Sequence, residues 1–296
     1  MRRSLGRHVD ASDRLSFFAA DLLSDEGWSS AVEGAEFVVH AASPMPIREY
    51  KGTDLITPAR EGTLRVLRAA ATAGVRRAVV TSSTAAATGR PGSAPVDETM
   101  WTDVSQDGVS EYTRAKTLAE RAAWDFIDAQ SHSSMTLTTI LPASIQGPVA
   151  LPSVSGSVEM VFRMLKGYVP AVPRAGFSTV DVRDVVDLHV RAMESEAAAG
   201  NRFIASSNFL WFADMARLLR EHFGARAAKV PTRELADVLV RLLALFHADL
   251  RQLAPSLGVR TTMRSDKAIE MLGWHARQAE NAVLDGARSL FEEGLI

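Results

Sequence analysis

Short apolar runs alternate with longer stretches of helical period through the first half of the chain. Leu15 to Ala20, Glu36 to Ala42, Arg77 to Ser82 and Met135 to Leu141 have strand length and strand composition. Between them, Ser24 to Val32, Pro58 to Ala73 and Tyr112 to Ala129 carry apolar residues at helix spacing among good helix formers. This alternation predicts an α/β fold with a doubly wound parallel sheet. The strand runs are apolar at nearly every position, as strands must be when helices cover both faces. After about Pro142 the pattern changes to loops rich in Pro, Gly and Ser. Helices are expected there over Val182 to Ala197, Trp211 to Phe223, Arg233 to Leu253, Ser265 to Leu272 and Ala279 to Glu293. No linker or repeat interrupts the chain. The expected division is a dinucleotide-binding part over 1–150 and, interleaved with it, a smaller, mostly helical substrate lobe over 151–296.

Composition narrows the function classes. With 296 residues, 47% hydrophobic and 23% charged, the chain reads as a soluble globular protein with ample core. A formal charge of −2 lacks the basic excess of a nucleic-acid binder and suits a small neutral or mildly polar ligand. Absent cysteine removes thiolate chemistry and cysteine metal sites, and the seven histidines show no ligand spacing, so no metal is expected. The longest apolar candidate, Leu235 to Leu250, is broken by Asp237, Arg241 and His247, so no membrane span is expected. No apolar segment follows the basic start Met1 to Arg7 to make a signal peptide, which leads to an expected cytoplasmic location.

The candidate chemistry centres on Tyr112 and Lys116. They lie one helical turn apart on the same face, downstream of Ser82 and Ser83 at a strand end. A lysine so placed is expected to lower the tyrosine pKa from about 10 towards the working range, making Tyr112 a general acid. In isolation the pair reads as a surface aromatic on a lysine stem. With three tyrosines in the chain and a serine upstream, the proton-transfer reading prevails. Asp21, ending the first run, suits either an adenine amino group, with Leu22 on the ring, or a helix cap. The small residues of His40-Ala-Ala-Ser-Pro44 suit a ribose and pyrophosphate near the backbone, or a plain tight turn. Ser83 is placed to bond a carbonyl, or simply a loop backbone group. Leu141 to Pro148 forms a rigid loop able to wall a nicotinamide, or an ordinary turn. Asp181 to Asp184 reads as a structural helix cap.

In order, Ala20 to Trp28, Val38 to Pro44, Val80 to Ser83, Val96 to Asp103, Tyr112 to Glu120 and Val180 to Val185 resemble the extended short-chain dehydrogenase/reductase superfamily, also called the NAD-dependent epimerase/dehydratase superfamily. Within it they look like the branch of dihydroflavonol reductases, cinnamoyl-CoA reductases and microbial aldehyde reductases. The resemblance implies a Rossmann-like fold and NADPH-dependent reduction of an aldehyde or ketone, with Ser83, Tyr112 and Lys116 as catalytic triad. It implies cofactor contacts at Asp21, Leu22, Ala41, Ala42, Ser43, Tyr112, Lys116, Pro142, Ala143, Ile145 and Ser157. Ala115 stands where many relatives carry serine. The alternatives are a nucleotide-sugar epimerase or dehydratase and a non-catalytic remnant of the family.

The departure is at the front. No strand, glycine-rich turn and helix precede Met1, and Met1 to Leu5 looks like the end of the family's second strand, with Arg3 at the NADPH 2′-phosphate. One β-α-β unit of roughly 30 residues is thus expected to be missing, leaving strand edges unpaired. The expectation for the chain alone is poor NADPH binding, poor solubility and little activity.

Overall fold

The computed structural model describes residues 14–44, 54–88, 95–130, 134–150, 154 and 156–296, with only the backbone at 248, 249 and 252. In chain order it forms α1 (Trp28–Val32), β1 (Phe37–His40), α2 (Ile56–Thr72), β2 (Arg77–Thr81), α3 (Glu111–Asp128), β3 (Thr136–Pro142), β4 (Ser144–Gln146) and α4 (Val158–Lys166). Then come β5 (Val172–Pro173), β6 (Gly176–Asp181), α5 (Val182–Glu194), β7 (Asn201–Ala205), β8 (Phe209–Trp211), α6 (Phe212–Phe223), β9 (Glu234–Leu235), α7 (Asp237–Leu243), α8 (Ala248–Leu253), α9 (Asp266–Leu272) and α10 (Ala279–Glu292).

The main sheet runs β1-β2-β3-β7 with every pair parallel. Its two faces follow the period of two along each strand. Ala78, Val80 and Leu137 pack with Leu67 of α2 and Ala123 of α3. The opposite residues Val79, Ile140 and Phe203 pack with Val185, Leu188 and Trp274 on the α5 side. Both faces are therefore covered, which is why the strands are apolar throughout. This is the doubly wound α/β architecture expected. Along β1 the outer side has no strand partner among the described residues, and Val39 is 47% exposed.

A second sheet joins β4 parallel to β6 and β6 antiparallel to β8. A second core forms around it from Val161 and Met164 of α4, Leu219 of α6 and Val283 and Leu290 of α10. The helix α10 comes close because it carries Gly286 at the crossing, where a Cβ would stand 2.9 Å from the carbonyl oxygen of Gly147. That crossing fixes the loop after β4, which faces the site.

Capping follows side-chain chemistry. Ser110 accepts from the Thr113 amide at 3.1 Å to start α3. Asp181 accepts from the Arg183 amide at 2.8 Å to start α5, and Asp184 holds the Arg277 amide at 2.7 Å, so this stretch is structural as its spacing indicates.

Several elements differ from expectation. Leu15 to Ala20 forms no strand; Leu15 and Phe18 are 46% and 55% exposed. A strand needs a partner strand to satisfy its amides, and among the described residues none pairs with this segment. The helix expected from Ser24 begins only at Trp28, because Ser24 spends its hydroxyl on the Glu26 amide and Gly27 turns left-handed at φ 84°. The helix expected over Arg233 to Leu253 divides into β9, α7 and α8. The break is held by the Arg251 guanidinium, which donates to the carbonyls of Ala244 and Leu245. The strand β7 lies where only loops and helices were expected, and its buried Arg202 disguises it.

Candidate active site

The end of β2 delivers a polar run to the edge of the main sheet. Thr81 closes the strand, Ser82 turns inward, and Ser83 takes an extended conformation with its hydroxyl accepting from the Ala85 amide at 3.1 Å. That single turn is buttressed from outside. Thr102 donates its amide to Ala86 at 3.0 Å and its hydroxyl to the Ala85 carbonyl at 2.6 Å.

Opposite this turn, α3 presents one face with Tyr112, Lys116 and Glu120 at successive four-residue steps. Tyr112 and Ser83 line the same two cavities. Burial pushes the Tyr112 phenol above its ordinary value of 10, with the nearby Ser83 hydroxyl acting against that shift. The expected lowering by Lys116 is thus not what the fold shows. Lys116 is buried and Tyr112 half-buried, and desolvation is the largest cause of the shift at each. A phenol held neutral is in the proton-bearing state that an acid requires.

Lys116 is pushed down from 10.5 to about 8, mainly by burial, with the charge of Glu120 acting against the shift. Its ammonium makes a long contact, 3.5 Å, to the Thr81 carbonyl. On its other side His40 bonds the Thr63 hydroxyl at 3.3 Å. Burial first, then the Lys116 charge, depress this imidazole from 6.5 to about 4, so it is neutral at physiological pH.

Glu120 closes the deep end. It accepts from Ser82 at 2.6 Å, Thr139 at 2.7 Å and Arg202 at 2.8 Å and 3.2 Å. Arg202 in turn donates to the carbonyls of Glu98 and Met100 at 2.7 Å and 2.8 Å, and its guanidinium lies 3.7 Å from the Trp101 ring centre. The segment around Trp101 and Thr102 is therefore tied both to Glu120 and to the turn after Ser83.

Two cavities meet at Tyr112. The first, about 340 Å³, is lined by Ala41, Ser43, Ser83, Tyr112, Lys116, Pro142, Ala143, Ile145 and Ser157 among others. The second, about 380 Å³, shares Ser83, Tyr112, Pro142, Ala143 and Ser157 and continues between Phe177, Phe209, Val259 and Met263. Ala42 borders a smaller space behind, with His40, Lys116 and Glu120. Ten of the residues singled out from sequence are thus brought together around one place, counting Ala42.

Asp21 and Leu22 stand elsewhere. Exposed Asp21 bonds the Leu23 amide at 2.9 Å, a local turn contact. Leu22 packs so tightly over α2 that a Cβ on Gly62 would approach its Cδ2 to 2.7 Å. Arg3 lies outside the described residues. Sequence reasoning assigned no role to Thr81, Glu120, Gln146 or Arg202. Only Glu120 carried a signal, its place two turns after Tyr112 on the same face.

The chain matches the NAD dependent epimerase/dehydratase family over residues 1–205. It belongs to that family. Within it, the chain is similar to the cinnamoyl-CoA reductase CAD2 of Medicago truncatula, 34% identical over 71% of this chain and 66% of that relative. The chain thus spans just under two thirds of that relative's length. It is also similar to the tetraketide alpha-pyrone reductase 1 of Arabidopsis thaliana, 30% identical over 97% of this chain and 82% of the relative. Among solved structures, Gre2 from Candida albicans in complex with NADPH superposes with a TM-score of 0.76 at 25% identity, covering 92% of this chain and 82% of that one. In this family member the sheet and helices of a Rossmann-like reductase fold are present. No helix among the described residues is long and apolar enough to cross a membrane.

Proposed function

We propose that the protein reduces an aldehyde or ketone to the alcohol, with NADPH as cofactor and Tyr112 as the proton donor. The observation that carries this reading is the meeting of Tyr112 and Ser83 at the junction of two cavities, with the buried ammonium of Lys116 lining the first of them. The named reductases among the relatives, and the NADPH complex of the Candida albicans protein, support the same class.

The residues present fit the nicotinamide end of the cofactor. The first cavity joins a flat apolar wall at Pro142, Ala143 and Ile145 to hydroxyls and a buried ammonium, the mixture a nicotinamide ribose asks for. When bound there, NADPH supplies hydride from the nicotinamide C4. Tyr112 transfers its proton to the carbonyl oxygen of the substrate. Ser83 donates its hydroxyl to that same oxygen, polarising it and fixing its place. Lys116 holds the ribose hydroxyls and favours the anionic form of the spent tyrosine, easing its reprotonation. The second cavity, bordered by Phe177, Phe209 and Met263, receives the body of the substrate. Residues of the lobe 151–296 furnish most of that wall. Arg3, by the family parallel, meets the 2′-phosphate.

Tyr112→Phe tests the assignment. The substitution removes one hydroxyl and keeps the ring, so far-ultraviolet circular dichroism should be unchanged while NADPH-dependent reduction of a short aldehyde falls at least about 100-fold. Turnover within about threefold of the parent would remove Tyr112 from the acid role.

A further inference from the structure

The helix α7 and the turn that continues it carry an apolar stripe turned to solvent. Val238, Leu239, Leu242, Leu245 and Phe246 are 44–82% exposed, while Val240 and Ala244 on the opposite face are buried. The turn keeps the helical path as far as His247, since the amides of Ala244 and His247 donate to the carbonyls of Val240 and Leu243 at 2.9 Å and 3.0 Å. Both ends are held. Asp237 pairs with Arg174 at the start, and Arg251 donates to the carbonyls of Ala244 and Leu245 at the finish. The stripe is thus presented on a braced element, and none of its residues lines a cavity of the candidate active site. Together its side chains expose on the order of 500 Å² of apolar surface, towards the upper end of the roughly 300–600 Å² that the largest patch on a monomer spans.

We propose that this stripe is the interface of a two-fold homodimer, in which α7 lies antiparallel against α7 of a second copy of the chain. The spacing of the stripe is symmetric about Leu242, with apolar positions three and four residues before it and three and four after it. A two-fold axis at Leu242 therefore sets that residue against its own copy, Leu239 of one chain near Leu245 of the other, and Val238 near Phe246. Every apolar position is answered by an apolar one, which is the condition an isologous contact imposes. Area agrees with this. Two such faces pressed together remove about 1,000 Å² before any rim is counted, the size at which a specific interface begins. A lipid surface suits the stripe less well, because an interfacial helix carries a basic polar face. Between residues 237 and 247 the charges are one aspartate and one arginine, Asp237 and Arg241.

The chain has no cysteine, so single introduced cysteines report the contact directly. Under mild oxidation of the full chain, Leu242→Cys should link to itself, since a residue on the axis meets its own copy. Val238→Cys should link only when mixed with Phe246→Cys. A disulfide needs Cα atoms within about 7 Å, whereas two Val238 residues in this dimer stand roughly 12 Å apart along the helix axis. Ala197→Cys, exposed after α5, gives the background rate. Sedimentation velocity should show monomer giving way to dimer, and no larger species, between about 1 and 100 μM. Leu242→Glu sets two carboxylates together at the axis and should weaken dimerisation at least about tenfold, with circular dichroism unchanged because the residue is exposed. A parent that stays monomeric at the top concentration, or a dimer that survives Leu242→Glu, as one joined along the open side of β1 would, overturns the proposal. So does linking of Leu242→Cys at the Ala197→Cys rate, or of Val238→Cys with itself as readily as with Phe246→Cys. Flotation with vesicles of phosphatidylcholine and phosphatidylserine, abolished by Leu242→Glu, would give the stripe to a membrane instead.

Discussion

A neutral histidine beside a buried lysine makes an acid-sensitive joint. His40 takes a proton in the folded protein only at about pH 4, against 6.5 ordinarily. Between those values the unfolded chain binds more protons at this position than the folded one, so stability is lost as the pH falls through the window. That depression corresponds to about 3 kcal/mol at full effect, a large share of the roughly 5–15 kcal/mol by which domains are typically stable. His40→Gln keeps a donor for the Thr63 hydroxyl and removes the titration. Urea unfolding at pH 7 and pH 4.5 should therefore show the parent losing about 2–3 kcal/mol more than the variant between the two conditions. Proton NMR of the His40 ring gives the pKa directly, and Lys116→Met should raise it, since the lysine charge is the second cause of the depression. A His40 pKa above about 6, or identical acid sensitivity in parent and variant, would refute the reasoning.

Two further perturbations read the frame around the site. Glu120→Gln leaves the Arg202 guanidinium inside the sheet without its charge partner, so thermal or urea unfolding should show a loss of about 3–5 kcal/mol, largely recovered in Glu120→Leu with Arg202→Met. A loss under about 1 kcal/mol would mean that water reaches this network. Gly62→Ala forces Leu22 off α2, so protease cleavage near Leu22 should accelerate while the affinity of the first cavity for ligands, measured calorimetrically, is unchanged. Unchanged cleavage would show that α2 yields instead.

The parts of the fold legible in the sequence were those in which local pattern and burial agree. Strands β2 and β3 are buried at nearly every position and helices α2 and α3 along one face, and their apolar residues say so directly. Capping at Asp181 was legible because an Asx side chain acts on amides two or three residues away, a purely local event. The strand β7 was not, since its five residues begin with two polar ones, Asn-Arg, and the burial of Arg202 depends on Glu120, 82 residues earlier. Leu15 to Ala20 failed for the opposite reason. Its composition is that of a strand, but a strand is a pairwise structure, and the sequence of one segment does not supply the partner.

The site divides along the same line. Ser83, Tyr112 and Lys116 were legible because a helix puts i and i+4 together and a strand end puts a hydroxyl at the sheet edge. The direction of the Tyr112 pKa was not, because it turns on how deeply the pocket excludes water, a property of the packed loops at Pro142 and Ser157. Gln146 lay inside the Leu141 to Pro148 loop without a role of its own.

Lys116 makes the last consequence measurable. With a pKa of about 8 and a single long contact to Thr81, it is a partly desolvated base with donor capacity to spare. Ligand hydroxyls that accept from Nζ stabilise the ammonium over the neutral amine, so binding raises this pKa. The sign is fixed: occupancy of the first cavity draws a proton from solution, hardly at all near pH 6, where the site is already charged, and substantially at pH 8, where the free protein is about half protonated there. Calorimetric titration with NADPH in buffers of different ionisation enthalpy counts that proton. At pH 8 the uptake should approach about half a proton per chain, and it should disappear in Lys116→Met. Uptake that is absent at pH 8, or equal at pH 6 and pH 8, would mean that Lys116 does not bond the cofactor hydroxyls. Binding would then lie with other residues of the cavity.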